Sequence, residues 1–390
     1  MPTPVPVTPT RGNGARVASV GVVSTFPPTS CGIATFSAAL AAGLIGHGVS
    51  VDVVRSGSTP DVEDVLVVGS LADTDDIGHR RAIDALNRND LVIVQHEYGL
   101  YDGPDGESII DLVDSIEAPV VVVAHTVLTD PTENQRRVLE QVCSSADAIV
   151  VMTRTAHARL LAGYEVDGSK VHVIPHGAAT PLAAPSASQR RPGTPPRLLT
   201  WGLLGPGKGI EWAIDAMVEL RDVDPRPEYV VAGATHPKVR EQHGEAYREM
   251  LVDRSASSIV DITFDDTYRD LMSLTDLIQS ADLVVLPYDS RDQVTSGVLV
   301  DAVAAGRPVV STAFPHAVEL LGTGAGIVVP QRDPVALGRA IRSVLTDPAL
   351  ASSMETEARR LAPGLAWSAV AYRYAELADL IVAARRPVAL

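Results

Sequence analysis

Residues 202–211 read GLLGPGKGIE and residues 288–308 read YDSRDQVTSGVLVDAVAAGRP. The first stretch carries Gly202, Gly205, Gly207 and Gly209 around Pro206, so no regular element runs through it. Lys208 projects from this loop just before a helix-like stretch. Flexible backbone beside a cation is a way to hold a phosphate. A Walker A loop would need Ser or Thr at Gly209, and the dinucleotide fingerprint is not satisfied from Gly202. The second stretch leads from polar residues into a helix at about Ser296–Gly297. There Thr295, Ser296 and Gly297 offer hydroxyls and free N–H groups to a diphosphate, with Gly205 and Lys208 on its other side. Asp301 follows Gly297 by one helical turn, roughly 6 Å up the same face. A carboxylate there can accept from both hydroxyls of a ribose. Gln293 lies eight residues before Asp301 and can reach a sugar.

The first half offers different groups. STFPPTSCGIATF at 24–36 places Gly32 at a helix start, where N–H groups face an anion or a sugar. His96 and Tyr98 in QHEYG, and His125 in VVVAHT, emerge at the ends of two runs of one sheet. His176 stands beside Gly177 in IPHG. Histidine can donate to a sugar hydroxyl or to developing negative charge, and Tyr98 and Tyr101 can stack on an acceptor.

These segments need elements to position them. Short β-branched runs alternate with longer amphipathic stretches. The runs are 16–23, 49–54, 91–95, 120–124, 148–152 and 171–174, then 197–201, 229–232, 259–263, 283–286, 308–311 and 327–329. Unbroken apolar runs suit strands buried on both faces. Their alternation with helices implies βαβ units and open parallel sheets. Between the halves, PLAAPSASQRRPGTPP at 181–196 has linker composition. The expected organisation is a disordered arm at 1–14, one domain at 15–180, the linker at 181–196, a second domain at 197–366 and a helical tail at 367–390. Ligands of such sheets bind beyond the carboxyl ends of the strands, where the residues above fall.

At 390 residues, the chain fits two domains. Its net charge of −16 argues against a nucleic acid partner. Cys31 and Cys143 make no zinc-like spacing and are expected to be reduced thiols. No h-region or membrane span is expected, which points to a cytoplasmic protein. Contact with the inner face of a membrane would follow if the acceptor is a lipid, through apolar faces near 36–45 and 135–142. Only three of the 32 basic residues are Lys: Lys170, Lys208 and Lys238.

Taken together, GLLGPGKGIE and QVTSGVLVDAVAAGRPVVST resemble the retaining GT-B glycosyltransferases of family GT4, bacterial branch. CGIATF, QHEYG, VVVAHT and IPHG look like N-terminal landmarks of the same family. The resemblance runs from about Arg16 to Trp367. It implies two Rossmann-like, doubly wound parallel-sheet domains facing a central cleft, with a last helix crossing back to the first domain. It also implies a hexosyltransferase that retains anomeric configuration and needs no metal. The co-substrate would be a nucleotide-diphosphate sugar, GDP-mannose first and UDP-glucose next, and the acceptor a carbohydrate or glycolipid. On that pattern Lys208, Gln293 and His125 carry catalysis, while Gly205, Lys208, Thr295, Ser296, Gly297 and Asp301 bind the donor. Gly32, His96, Tyr98 and His176 then meet the acceptor or the sugar.

Three positions depart from the family. Its loop Arg falls on Leu203, the first Glu of its E-x7-E falls on Gln293, and the second on Asp301. Arg291 is a candidate for the lost cation. Leu203 and Gln293 favour a competing reading, a non-catalytic protein that binds sugar nucleotides. A GT-B epimerase would need more acid–base groups around the sugar than the sequence provides.

Overall fold

The computed structural model describes residues 16–29, 31–57, 64–71, 76–179, 193–267, 269 and 271–385. The expected arm at 1–14 and most of the expected linker lie outside them, as does Tyr268.

Valine-rich runs bury their side chains on both faces and set the frame. The first half runs β1 (Ser19–Ser24), α1 (Gly32–Gly46), β2 (Ser50–Arg55), β3 (Val67–Ser70), α2 (Asp76–Asn87), β4 (Leu91–His96) and α3 (Ser108–Ser115). It continues with β5 (Val120–Ala124), α4 (Glu133–Ser145), β6 (Ala148–Val151), α5 (Arg154–Gly163) and β7 (Val171–Val173). These strands form a seven-stranded sheet in the order β3-β2-β1-β4-β5-β6-β7. The pairings are parallel, with Ser19 opposite Ser50 on β2 and Val20 opposite Leu91 on β4.

The second half runs β8 (Arg197–Trp201), α6 (Ile210–Ala216), β9 (Glu228–Ala232), α7 (Pro237–His243), α8 (Ala246–Ser255), β10 (Asp261–Asp265) and α9 (Leu271–Ser280). It continues with β11 (Leu283–Leu286), α10 (Gly297–Ala304), β12 (Val309–Thr312), α11 (Pro315–Leu321) and β13 (Gly326–Val329). Three helices close it: α12 (Pro334–Thr346), α13 (Pro348–Leu365) and α14 (Trp367–Arg385). Its six parallel strands are ordered β10-β9-β8-β11-β12-β13. Each sheet therefore reverses its winding beside its first strand, between β1 and β4 and between β8 and β11. That reversal opens a crevice at the carboxyl edge.

The order and location of these strands follow the apolar runs closely. The exception is β3, a four-residue strand at the sheet margin whose VVGS is too short and too exposed to stand out.

Both faces of each sheet carry a core. Strand β1 alternates its side chains between two of them: Val22 packs with Phe36 and Leu40 of α1, and Val23 packs with Leu86 and Leu112. Helix α14 belongs to the first of these cores. Its Val370, Ala371 and Tyr374 are buried with β1 and α1. Gly43 permits that approach, because a Cβ there would stand 2.6 Å from Ala371 Cβ. The chain crosses between domains twice, and the crossings pair with each other. Ala178 N donates to Leu365 O (2.7 Å), and Trp367 N donates to Ala178 O (3.1 Å).

Candidate functional site

On the second domain, the glycine loop is fixed by conformations that other residues resist. Gly207 and Gly209 have φ of 87° and 64°, and a Cβ on Gly209 would fall 1.9 Å from Pro287 O. The loop is stitched to its neighbours by Leu204 N to Ala234 O (2.9 Å), His236 N to Leu204 O (2.8 Å) and Asp289 N to Gly207 O (2.9 Å). Lys208 follows, its Nζ 4.5 Å over the Tyr288 ring. Burial pulls its ammonium pKa below the usual lysine value. Gly205 lies in the same loop, its would-be Cβ 3.1 Å from Val239 Cγ2.

Helix α10 opens across from this loop. Ser296 is its N-cap, with Oγ accepting from Leu299 N (3.3 Å). The Ser296 N–H is not left for a phosphate, contrary to expectation. It donates to His316 Nδ1 (2.9 Å), a residue the sequence did not single out because the contact spans twenty positions. The groups remaining at this helix start are Gly297 and the Thr295 hydroxyl, which is buried without a partner. Asp301, one turn on, is half-buried, with no donor to its carboxylate among the described residues. Burial pushes its pKa up to about 7. Gln293 is half-buried on the preceding loop, where its carbonyl accepts from His316 N at 3.5 Å.

On the first domain, the carboxyl edge is neutral and aromatic. Phe36, one turn past Gly32, is its hub. Its ring centroid lies 5.0 Å from that of His125, 5.1 Å from His176 and 4.9 Å from Trp367. His125 Nε2 lies 2.6 Å from Gln95 Oε1, so the neutral ring donates there and keeps a lone pair on Nδ1. His176 Nδ1 lies 2.6 Å from Gly177 O, which leaves Nε2 as the acceptor. Burial lowers the His125 pKa to about 3, aided by His176 and His96. Burial likewise lowers His96, His176 and His316 to about 4. At neutral pH all four rings are uncharged.

His96 stands behind this surface. It is 1% exposed, with its ring edge-on to Tyr98 at 5.2 Å. Tyr98 is half-buried and packs on the β4–β5 core, and Tyr101 donates its hydroxyl to Gln95 O (2.6 Å). Both tyrosines are half-buried and brace the strand ends. Gly32 begins α1 in open space, with no atom within 4 Å of a would-be Cβ. Its N-cap is Cys31, whose Sγ accepts from Ala34 N (3.3 Å) and contacts Thr25 Oγ1 (3.1 Å). A thiol is an uncommon cap, and Cys31 is a free cysteine that takes this place.

The two edges meet. A Cβ on Gly297 would stand 2.9 Å from His176 Nε2, so glycine lets that imidazole approach the start of α10. Thr153 Oγ1 donates to Val294 O (3.1 Å), and Arg159 pairs with Asp292 (3.1 Å). Glu319 accepts from the N–H groups of Arg154 and Thr155 at 2.9 Å each, which satisfies the start of α5. Of the expected donor residues, Gly205 and Lys208 thus stand in the glycine loop and Thr295, Gly297 and Asp301 at the start of α10, with His125 and His176 at the carboxyl edge of the other sheet. Among the described residues, no group of three or more His, Cys, Asp or Glu side chains is placed to hold a metal ion, and no helix is long and apolar enough to cross a membrane.

Comparison with known proteins agrees with this arrangement. Residues 31–180 match Glycosyltransferase Family 4, and residues 195–347 match Glycosyl transferases group 1. A D-inositol 3-phosphate glycosyltransferase of Kineococcus radiotolerans is 30% identical over 62% of this chain and 59% of its own length. A glycogen synthase of Mycobacterium tuberculosis is 32% identical over 54% of this chain and 48% of its own. The chain therefore spans about half to three fifths of these curated relatives. Among solved structures, a sucrose-phosphate synthase from Thermosynechococcus elongatus has a TM-score of 0.71 at 20% identity, covering 94% of this chain and 99% of that one. HepE of Anabaena, solved with UDP and glucose, has a TM-score of 0.68 at 15% identity, covering 93% and 99%. One family match falls on each domain and the two-sheet fold is shared from end to end, so the chain belongs to the GT4 glycosyltransferases and has the GT-B fold.

Proposed function

We propose that this protein is a retaining hexosyltransferase that moves mannose or glucose from a nucleoside diphosphate sugar to a hydroxyl of a carbohydrate or glycolipid, without an essential metal and in the cytoplasm. The observation that carries this reading is the convergence of unengaged groups at the start of α10. The Thr295 hydroxyl is buried without a partner, Gly297 lets His176 Nε2 approach the helix start closely, the Asp301 carboxylate lies one turn on, and Lys208 stands on the ring of Tyr288.

In this reading Lys208 and the α10 start hold the diphosphate and stabilise the charge that grows as it leaves. Asp301 accepts from the ribose, and Gln293 and His125 orient the transferred sugar. The bond from the anomeric carbon to the diphosphate oxygen breaks through an oxocarbenium-like state. The acceptor oxygen bonds to that carbon on the same face, and its proton passes to the departing phosphate oxygen. His125 and His176, held neutral, position hydroxyls by hydrogen bonding and are weak bases. A uridine nucleotide is supported by HepE, which was solved with UDP-glucose.

The test is a thermal-shift panel of GDP-, UDP- and ADP-sugars with their free diphosphates. Selective stabilisation by one nucleotide, lost in Lys208→Ala, is the expected result. Leu203 and Gln293 favour the second reading, a non-catalytic binder. That reading takes first place if a nucleotide sugar stabilises the fold but is never turned over. A chain that responds to no nucleotide sinks both.

A further inference from the structure

Lysine is scarce in this chain, yet two of its three lysines stand beside one another's loops at the carboxyl edge of the second sheet. Lys208 belongs to the glycine loop. Lys238 lies in the first turn of α7, where its N–H donates to His236 Nδ1 (3.2 Å). The strand-like contact of Leu204 with Thr235, and the paired bonds of Leu204 with Ala234 and His236, lock the two loops together. From there Lys238 reaches across to the first domain. A Cβ on Gly99 would stand 2.6 Å from Lys238 Nζ. Its charge also reaches the neighbouring Glu97, and helps to offset the rise that burial imposes on that carboxyl. Glu97 itself accepts from Thr126 Oγ1 (2.5 Å) and Tyr98 N (3.0 Å).

Lys238 thus links the pair of bonded loops on the second domain to the end of β4 on the first. Leu203, in the same glycine loop as Lys208, carries no charge. Nearby cations are engaged: Arg248 donates to Gly233 O (2.8 Å), and Arg332 pairs with Asp289 (2.6 Å). Lys208 and Lys238 thus project from two loops that are bonded to each other. His236, next to both, is held below its ordinary pKa by burial and then by Lys238 and Lys208.

We propose that Lys238 is the second diphosphate-binding cation, standing in for the charge absent at Leu203, and that it rests on the Glu97–Gly99 turn when no nucleotide is bound. This rests on the donor-site reading above. The experiment is calorimetric titration of UDP, UMP, GDP and GMP into the full chain and into Lys238→Ala, Lys238→Arg, Lys208→Ala and Arg291→Ala. Lys238 is exposed, so its variants fold.

The expected result is that Lys238→Ala weakens the diphosphate by roughly 10- to 100-fold while the monophosphate moves much less. Lys238→Arg should keep most of the preference. Equal weakening of diphosphate and monophosphate would make Lys238 a domain tie and overturn the inference. So would loss of the preference in Arg291→Ala but not in Lys238→Ala. If Lys208→Ala abolishes the diphosphate preference and Lys238→Ala leaves it intact, this inference falls and the donor site stands. If the wild-type chain shows no preference, both fall.

Discussion

The two walls of the cleft are built on opposite principles. The second domain keeps charged and polar groups partly unengaged: Lys208 rests on a ring face, Thr295 has no partner, and Asp301 is half-buried without a donor. The first domain buries its polar groups more deeply and engages the rings at its edge, although His96 Nδ1, Gln95 Nε2 and the Tyr98 hydroxyl behind them have no partner among the described residues. His125 is bonded to Gln95, His176 to Gly177 O, and all of these rings surround Phe36. A wall with open valences is ready for a charged ligand of fixed chemistry. A wall of neutral rings supplies shape and weak hydrogen bonding, which suits hydroxyl-rich acceptors.

The comparison breaks most readily at Phe36. Phe36→Ala removes the ring that Trp367, His125 and His176 share, and 1% exposure leaves no water to fill the gap cheaply. The expected loss is about 3–5 kcal/mol of stability, read from urea unfolding. A loss under about 1 kcal/mol would show that the acceptor wall is loosely packed. Lys208→Ala should do the reverse, leaving stability nearly unchanged and lowering turnover by roughly 10²–10³-fold. Wild-type rates would remove Lys208 from the diphosphate site.

Acid weighs more on the first wall, which holds three of the four most deeply buried histidines, while His316 belongs to the second domain. His96, His125, His176 and His316 titrate near 3–4 when folded, against about 6.5 when unfolded. The unfolded chain binds their protons first as pH falls. Their contribution to stability is therefore complete above about 6.5 and is lost toward about 4. Melting temperature should decline across that window, and His96→Gln should flatten the slope. An unchanged slope would mean that His96 is already charged in the fold.

How much was legible follows the same division. Strands of parallel sheets are unbroken runs such as VVVVA, and such runs need no tertiary knowledge to be seen. The α10 start was legible because Ser296, Gly297 and Asp301 are local, with fixed helical spacing. The first-domain wall depends on residues far apart in sequence: Phe36, His125, His176 and Trp367 meet only when α14 folds back. Nothing near His316 announces that it accepts from Ser296 N, and nothing near Lys238 announces that it crosses to Gly99. Cys31 as a helix cap was hidden by its residue type.

The smallest expected effect tests the donor wall through Asp301. Its carboxyl is held near pH 7 by burial, well above the usual carboxylate range, so about half is protonated at neutral pH. Ribose hydroxyls donate to the ionised form and stabilise it, so nucleotide binding should release a proton. The sign follows directly. Below about pH 7 the ligand must first remove that proton, and affinity falls by up to about tenfold per pH unit. Above it, affinity levels off. Calorimetric titrations of UDP between pH 5.5 and 8.5 read this bend, and Asp301→Asn should remove it while lowering affinity at pH 8. His236, held below its ordinary pKa by burial and by Lys238 and Lys208, is the control: the bend is assigned to Asp301 only if His236→Gln preserves it. A bend that survives in Asp301→Asn would place the ribose elsewhere, and the open valence of this wall would then have another purpose.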